Sequence, residues 1–168
     1  MEAIQAIMSR RSIRKYTPED VSPEHERQLL EAAMAAPSAH NRQPWHFIVI
    51  RDRETLDGIP EFHGYSKMLK EAPLAIVVCG DTEVQTTDFW IHDCSAATEN
   101  ILIAANALGL GAVWLGVHPG KEVIENTRKH LGIPDHVVPL GIVSVGHPAV
   151  EKPPGDRYNE ERVHRDKW

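Results

Sequence analysis

The segment from Thr87 to Leu108 constrains this chain more than any other part of it. Ala96, Ala97, Ile101, Leu102, Ile103, Ala104, Ala105, Ala107 and Leu108 predict a long helix that is apolar on nearly every side, and Gly109 stands where a left-handed cap is wanted. Such a helix has to be buried all round. A chain of 168 residues can rarely enclose it alone, so a second subunit is expected to cover one face. The uncharged run 100–120 has enough residues to span a bilayer, but Asn106, His118, Pro119 and four glycines divide it into a helix, a break and a strand.

The length implies one domain over 1–168, large enough to bury roughly 70% of the surface its unfolded chain exposes. Acidic residues number 24 against 18 Lys and Arg, a net charge of −6. A generic nucleic-acid binder or acidic-membrane binder would carry the opposite excess, so neither partner is expected, and any bound anion needs a local site. Cys79 and Cys94 sit in apolar stretches without metal-ligand spacing and read as buried free thiols; no metal is expected. The opening MEAIQAIMSRRS reverses the charge order of a secretion signal, which predicts a cytoplasmic protein.

Elsewhere the pattern is mixed. A helix is expected over Glu2 to Ser9, and a second after Ser22 as cap with Pro23 at the first helical position, stopped by Pro37. His46 to Ile50 and Leu74 to Cys79 read as buried strands, with short helical segments near Arg53 to Asp57 and Tyr65 to Lys70. Ala112 to Leu115 is a further strand, Lys121 to Leu131 a helix closed by Gly132, and Val137 to Val145 a last strand. The tail 147–168 is rich in Pro and charge without an apolar face, so it either stays in solvent or wraps a partner. Helices surrounding one sheet make this an α+β chain.

Three stretches carry chemistry. Arg10, Arg11, Ser12, Arg14, Lys15 and Tyr16 concentrate cations and hydroxyls in an acidic protein, a set suited to a phosphate or another anion. Cations after a helix C-terminus also complement its dipole, and that reading stands beside the first. Arg157, Arg162 and Arg165 could bring more charge to the same place. The second stretch, Ala36 to Trp45, supplies Ser38, His40, Asn41, Arg42 and Gln43 between two prolines: donors and acceptors for the edge of a flat heterocycle, or plain turn chemistry with Asn41 left-handed. In the third, glycines flank the strand Ala112 to Leu115 without a dinucleotide-binding fingerprint, and Gly116 marks close backbone approach to a ligand.

In this order and spacing, together with Ala104 to Gly111 and Gly141-Ile142-Val143 leading to Gly146-His147-Pro148, these stretches resemble the nitroreductase family of flavin-dependent oxidoreductases. The resemblance covers essentially the whole chain. It implies a nitroreductase-like α+β fold with a central, mainly antiparallel sheet flanked by helices, in an intertwined homodimer that holds FMN without a covalent bond at the subunit interface. Thr87 to Leu108 is then the interface helix, and the tail 147–168 wraps the partner.

The roles implied by the resemblance follow the matching positions. Arg10, Arg11 and Ser12 match residues on the flavin phosphate or ribityl chain, and Arg157 the tail arginine that closes on the phosphate. Arg14 matches a basic position beside the pyrimidine, where positive charge stabilises the reduced ring. Pro37, Ser38 and Asn41 match a loop along the flavin, often from the other subunit, and the Leu115 and Gly116 backbone lies beside N5. His40 and His63 are expected to line the substrate pocket. The implied reaction passes hydride from NAD(P)H through N5 to electron-poor small molecules such as nitroaromatics, quinones or flavins, by a ping-pong sequence needing no side-chain nucleophile. The rival reading is a flavin-binding storage or sensing protein without turnover.

Overall fold

The structure is a computed structural model, and it describes residues 1–153 and 155–168. The expected helices form largely where the local signals place them. Helix α1 covers Ala3–Ser9 and α2 covers Pro23–Met34, where Ser22 Oγ accepts from the His25 N–H at 3.1 Å. After β1 (Trp45–Ile50) come a short α3 (Arg53–Gly58), β2 (Leu74–Asp81), the long α4 (Phe89–Ala107), β3 (Gly111–Gly116), α5 (Lys121–Leu131) and β4 (Val137–Gly146). Gly109 and Gly132 end α4 and α5 with φ of 77° and 67°, values that glycine reaches without steric cost.

The four strands form one antiparallel sheet in the order β1-β2-β4-β3. Helices α2 and α4 cover one face, where Leu29, Ala33, Cys94, Ala97, Ile101 and Ala105 meet Ile76, Val78, Val143 and Val145. On the other face Leu56, Ile59, Leu69 and Ile133 close over Ala75, Val77, Val113, Leu115 and Ile142. Strand β2 is buried along its whole length, which accounts for the unbroken apolar run in its sequence.

Two expectations are corrected. Thr87 and Asp88 form the turn that leads into α4, accepting from the Trp90 and Ile91 N–H groups, and the helix proper begins at Phe89. Between Tyr65 and Lys70 only Lys67–Lys70 is helical, as a single 3-10 turn. In keeping with the expectation that one chain cannot hide it, α4 is not enclosed by its own chain: Ile91, Ser95, Ala96, Ile103 and Ala104 are half-exposed and His92 is open, because the single sheet can cover only one side of it.

Candidate functional site at the free edge of β3

Strand β3 is an edge strand, and its register determines which backbone groups are available. Val117 N–H donates to Leu140 O across the β3–β4 ladder, and in the same register Gly116 lies opposite Gly141 and Leu115 opposite Ile142. Antiparallel partners alternate between hydrogen-bonded and non-hydrogen-bonded pairs. Leu115 therefore spends its N–H and C=O inside the sheet, whereas Ala112, Trp114 and Gly116 turn theirs outward. The first of these is used, since Ala112 O accepts the Ile13 N–H at 3.0 Å, and Ser12 bridges Ala112 in parallel orientation. Of the expected pair Leu115 and Gly116, only Gly116 offers an outward backbone group.

The basic segment after α1 thus runs along the outer edge of β3, with Arg10 and Arg11 near its start and Arg14 towards its end. A hollow of about 520 Å³ opens at that far end, lined by Arg14, His63, Tyr65, Trp114, Leu115 and Gly116. Arg14 is exposed there. His63 is 4% exposed, and its Nε2 lies 2.9 Å from Gly116 O. A carbonyl can only accept, so Nε2 carries the proton. Nδ1 is then an acceptor; it is buried and finds no partner among the described residues. A Cβ built on Gly116 would meet nothing within 4 Å.

At the other end of β3 a second hollow, of about 310 Å³, is lined by Arg10, Arg11, Leu110, Ala112 and Lys152. Arg10 pairs with Glu99 of α4 at 3.4 Å. Arg11 Nε donates to Pro153 O at 2.9 Å and one terminal nitrogen to Met8 O at 3.1 Å, while its Nη2 is buried without an acceptor among the described residues. Lys152 Nζ donates to Ser12 O at 2.7 Å. A Cβ on Gly155 would lie 3.4 Å from Arg11 Nη2 and 3.5 Å from Arg157 Nε, so both guanidinium groups lie beside this glycine. Arg165 instead pairs with Glu160. Nothing in the sequence marked Lys152, because a lysine in a Pro-rich tail carries no positional signal.

The loop after α2 lies elsewhere. Ala39 N–H donates to Asp93 Oδ1 of α4 at 2.8 Å and Gln43 N–H to Ser38 Oγ at 3.0 Å. His40, Asn41 and Gln43 all adopt positive φ, at 54°, 54° and 51°. Three such non-glycine residues in one loop store strain of the kind that clusters at functional sites. Asp93, whose carboxylate is buried, had no sequence signal as the anchor of this loop. Asn106, near the far end of α4, holds Ala6 O and Ser9 Oγ. Thirteen helical steps, about 20 Å along α4, separate the loop's anchor at Asp93 from the contact of Asn106 with Ser9, although the Arg10 side chain reaches back to Glu99. None of Pro37, Ser38, His40 and Asn41 lines either hollow.

An antiparallel α+β layer with a cationic, partly unpaired sheet edge defines a class of protein, and comparison with known proteins resolves it further. The model of the Nitroreductase family matches residues 7–64 and 60–147. A protein of Archaeoglobus fulgidus provisionally named NADH dehydrogenase/NAD(P)H nitroreductase is 49% identical over 172 residues, covering 99% of both chains. A crystal structure of a Parabacteroides distasonis protein with the same provisional name superposes with a TM-score of 0.96 at 44% identity, covering 99% of this chain and 98% of that one. A nitroreductase, provisionally so named, from Desulfovibrio desulfuricans, solved in complex with FMN, superposes at 0.86 with 35% identity over 100% of this chain and 98% of its own. The chain belongs to the Nitroreductase family.

Proposed function

We propose that the protein is an FMN-dependent oxidoreductase that takes hydride from NAD(P)H and passes it to electron-poor small molecules, nitroaromatics, quinones or free flavins. The observation that carries the reading is the β3 edge, with an outward Gly116 backbone at one end and guanidinium groups at the other. Arg11 Nη2, a buried donor lacking an acceptor among the described residues, fits a phosphate at the first hollow. The open space over Gly116 fits a flat ring at the second. The family relative crystallised with FMN supports the choice of cofactor. FMN would supply the two-electron chemistry.

The rest falls to the chain itself. Arg10, Arg11, Ser12 and Arg157 hold the phosphate and ribityl end. Arg14 places a positive charge where negative charge grows on reduction. Gly116 N–H donates to the ring edge, with Leu115 supporting it from inside the sheet. Donor and acceptor share the one hollow of about 520 Å³ beside His63, which predicts ping-pong kinetics. Among the described residues, no group of three or more His, Cys, Asp or Glu could hold a metal ion, and no helix is long and apolar enough to cross a membrane.

The unit is a homodimer of single-domain chains. Ile4, Ile7 and Met8 of α1 are 73%, 49% and 61% exposed beside the open flank of α4, an apolar surface that a second copy would bury. The same pairing would carry Pro37, Ser38, His40 and Asn41 to the partner's β3 edge, and give the exposed tail 147–168 a surface to wrap.

The deciding experiment is anaerobic titration of the purified dimer with NADH and NADPH, followed by quinone and nitro acceptors. A yellow protein that bleaches with a nicotinamide and recovers its colour with an acceptor is expected. Yellow protein that does not bleach would identify a flavin store, and colourless protein that binds no added FMN would overturn the proposal.

A further inference from the structure

The loop 38–43 is strained, largely exposed and held by little. His40, Asn41 and Gln43 stand at φ of 54°, 54° and 51°, conformations that an untethered loop would leave. Its internal bonds are short-range: Asn41 N–H donates to Ser38 O at 3.0 Å, Arg42 N–H to Ala39 O at 3.2 Å and Gln43 N–H to Ser38 Oγ at 3.0 Å. Among the described residues, two hydrogen bonds reach from the loop to the rest of the chain. One runs from the exposed Arg42 side chain to Val84 O at 3.2 Å. The other runs from Ala39 N–H to Asp93 Oδ1 at 2.8 Å, and its acceptor is a carboxylate on a residue only 5% exposed, the stronger kind of bond. It fixes the peptide between Ser38 and Ala39, whose carbonyl opens the turn Ala39–Asn41. Asp93 Oδ2 stays buried without a partner among the described residues, an unfavourable arrangement that neither the helix nor the sheet requires.

We propose that Asp93 is a positioning residue for the flavin site of the second copy: it holds the loop 38–43 in the form that the loop presents to the partner's β3 edge. The inference rests on the dimer and flavin readings above and adds the residue that ties them together. Asp93 belongs to the helix whose flank is open at Ile91, Ser95, Ala96, Ile103 and Ala104. A two-fold axis across the middle of that flank, at right angles to the helix, runs the two copies of α4 antiparallel. The Asp93 end of one copy then lies beside the Asn106 end of the other, where Asn106 Nδ2 donates to Ser9 Oγ and the basic segment begins. The separation of about 20 Å within one chain is thereby closed between two. Asp93 itself touches no flavin. A loop that kept its binding form only about a tenth of the time would weaken apparent FMN affinity by about the same factor, and a firm anchor removes that loss.

The test uses the full-length dimer, first without flavin. Hydrogen exchange at the Ala39 amide should be slow in wild type and about tenfold faster in Asp93→Ala. The same substitution should raise the FMN Kd about tenfold, and Asp93→Asn, which keeps an acceptor oxygen without the charge, about threefold. A lower unfolding midpoint with an unchanged FMN Kd would mean that Asp93 serves the fold alone, and overturns the inference. Mixed dimers, isolated through two different tags, separate the two chains: one carries Asp93→Ala and the other Gly116→Ala, whose methyl fills the open space at the edge. An Asp93 that acts across the interface leaves this dimer one intact site, built from the edge of the first chain and the loop of the second, so half of the sites should bind FMN with the wild-type Kd. If no site does, Asp93 serves its own chain and the proposal falls. Should the alanine variant not fold, Asp93→Asn takes its place in each measurement, with threefold weakening in its own dimer and one wild-type site in the mixed one. A wild-type protein that binds no FMN overturns the flavin reading, and a wild-type monomer the dimer reading; each takes the inference with it and is distinct from the outcomes above.

Discussion

Gly111 and Gly116 bound the same strand, and their surroundings differ. A methyl group added at Gly111 would lie 2.7 Å from Ile13 Cγ2 and 2.9 Å from Ile13 Cβ, whereas at Gly116 it would meet nothing within 4 Å. At the first end the absent side chain is replaced by another residue of the protein, and the outward carbonyl of Ala112 is paired with Ile13 N–H. At the second the space is left open, and the outward carbonyl of Gly116 is held by a histidine side chain instead of a strand. One end of β3 is packed for stability and the other is kept clear for something to approach.

The sharpest way to break this comparison is to add the methyl group at each end. Gly111→Ala should cost about 1–3 kcal/mol in denaturant unfolding through overpacking against Ile13, while the folded fraction keeps its FMN affinity. Gly116→Ala should leave unfolding free energy within about 0.5 kcal/mol of wild type, yet weaken FMN binding at least about tenfold as its methyl fills the approach. Equal destabilisation by the two would mean that the open end is a packing position after all.

Arg14→Ala sharpens the difference between the two hollows. Because Arg14 is exposed and lines the hollow proposed for the ring, its loss should slow flavin reduction about tenfold, below the roughly 100-fold known for a buried charge-stabilising donor. With Arg10, Arg11, Ser12 and Arg157 proposed to hold the phosphate end, FMN retention should change little. Loss of FMN with normal reduction of the flavin that remains would reverse the assignment of the two ends.

The smallest effect belongs to the closed interior. Burial pushes the thiols of Cys79 and Cys94 up to about 12, with the neighbouring Cys79 and Asp93 adding to the rise at Cys94. Only a thiolate reacts appreciably. A thiol reagent at pH 8 should therefore label neither cysteine in the native protein and both after unfolding. Rapid native labelling of either cysteine would show that the core on that cysteine's face of the sheet opens.

How far the sequence could be read depends on the range of the interaction concerned. Ser22 with Pro23, and Gly109 or Gly132 at a helix end, act within a few residues, and their elements form as expected. Glycines within strands do not announce their purpose. Gly80 is empty because Trp90 lies against it, and Gly141 because Trp114 does, so that a Cβ at either position would collide with the ring. Gly116 looks the same in sequence and has no such neighbour. The loop 38–43 was legible as polar and turn-forming, with Asn41 as a left-handed candidate. That His40 and Gln43 share the conformation, and that a carboxylate 54 residues from Ala39 anchors the loop, depend on α4 lying beside it.

The sequence by itself determined the α+β class, the apolar helix too large for one chain to hide, the run of cations in an acidic protein, and the Nitroreductase resemblance, because each is written in composition or in spacing over tens of residues. Only the tertiary structure decided which backbone groups face outward on β3, since a one-residue change of register would turn Leu115 out and Gly116 in. It also picked out, among ten histidines, the one bonded to the Gly116 carbonyl, and it set Arg157 beside the same glycine as Arg11 while pairing Arg165 with Glu160. Hydrogen-bond parity and contacts between residues more than fifty positions apart arise only when the chain has closed on itself, and no local pattern records them.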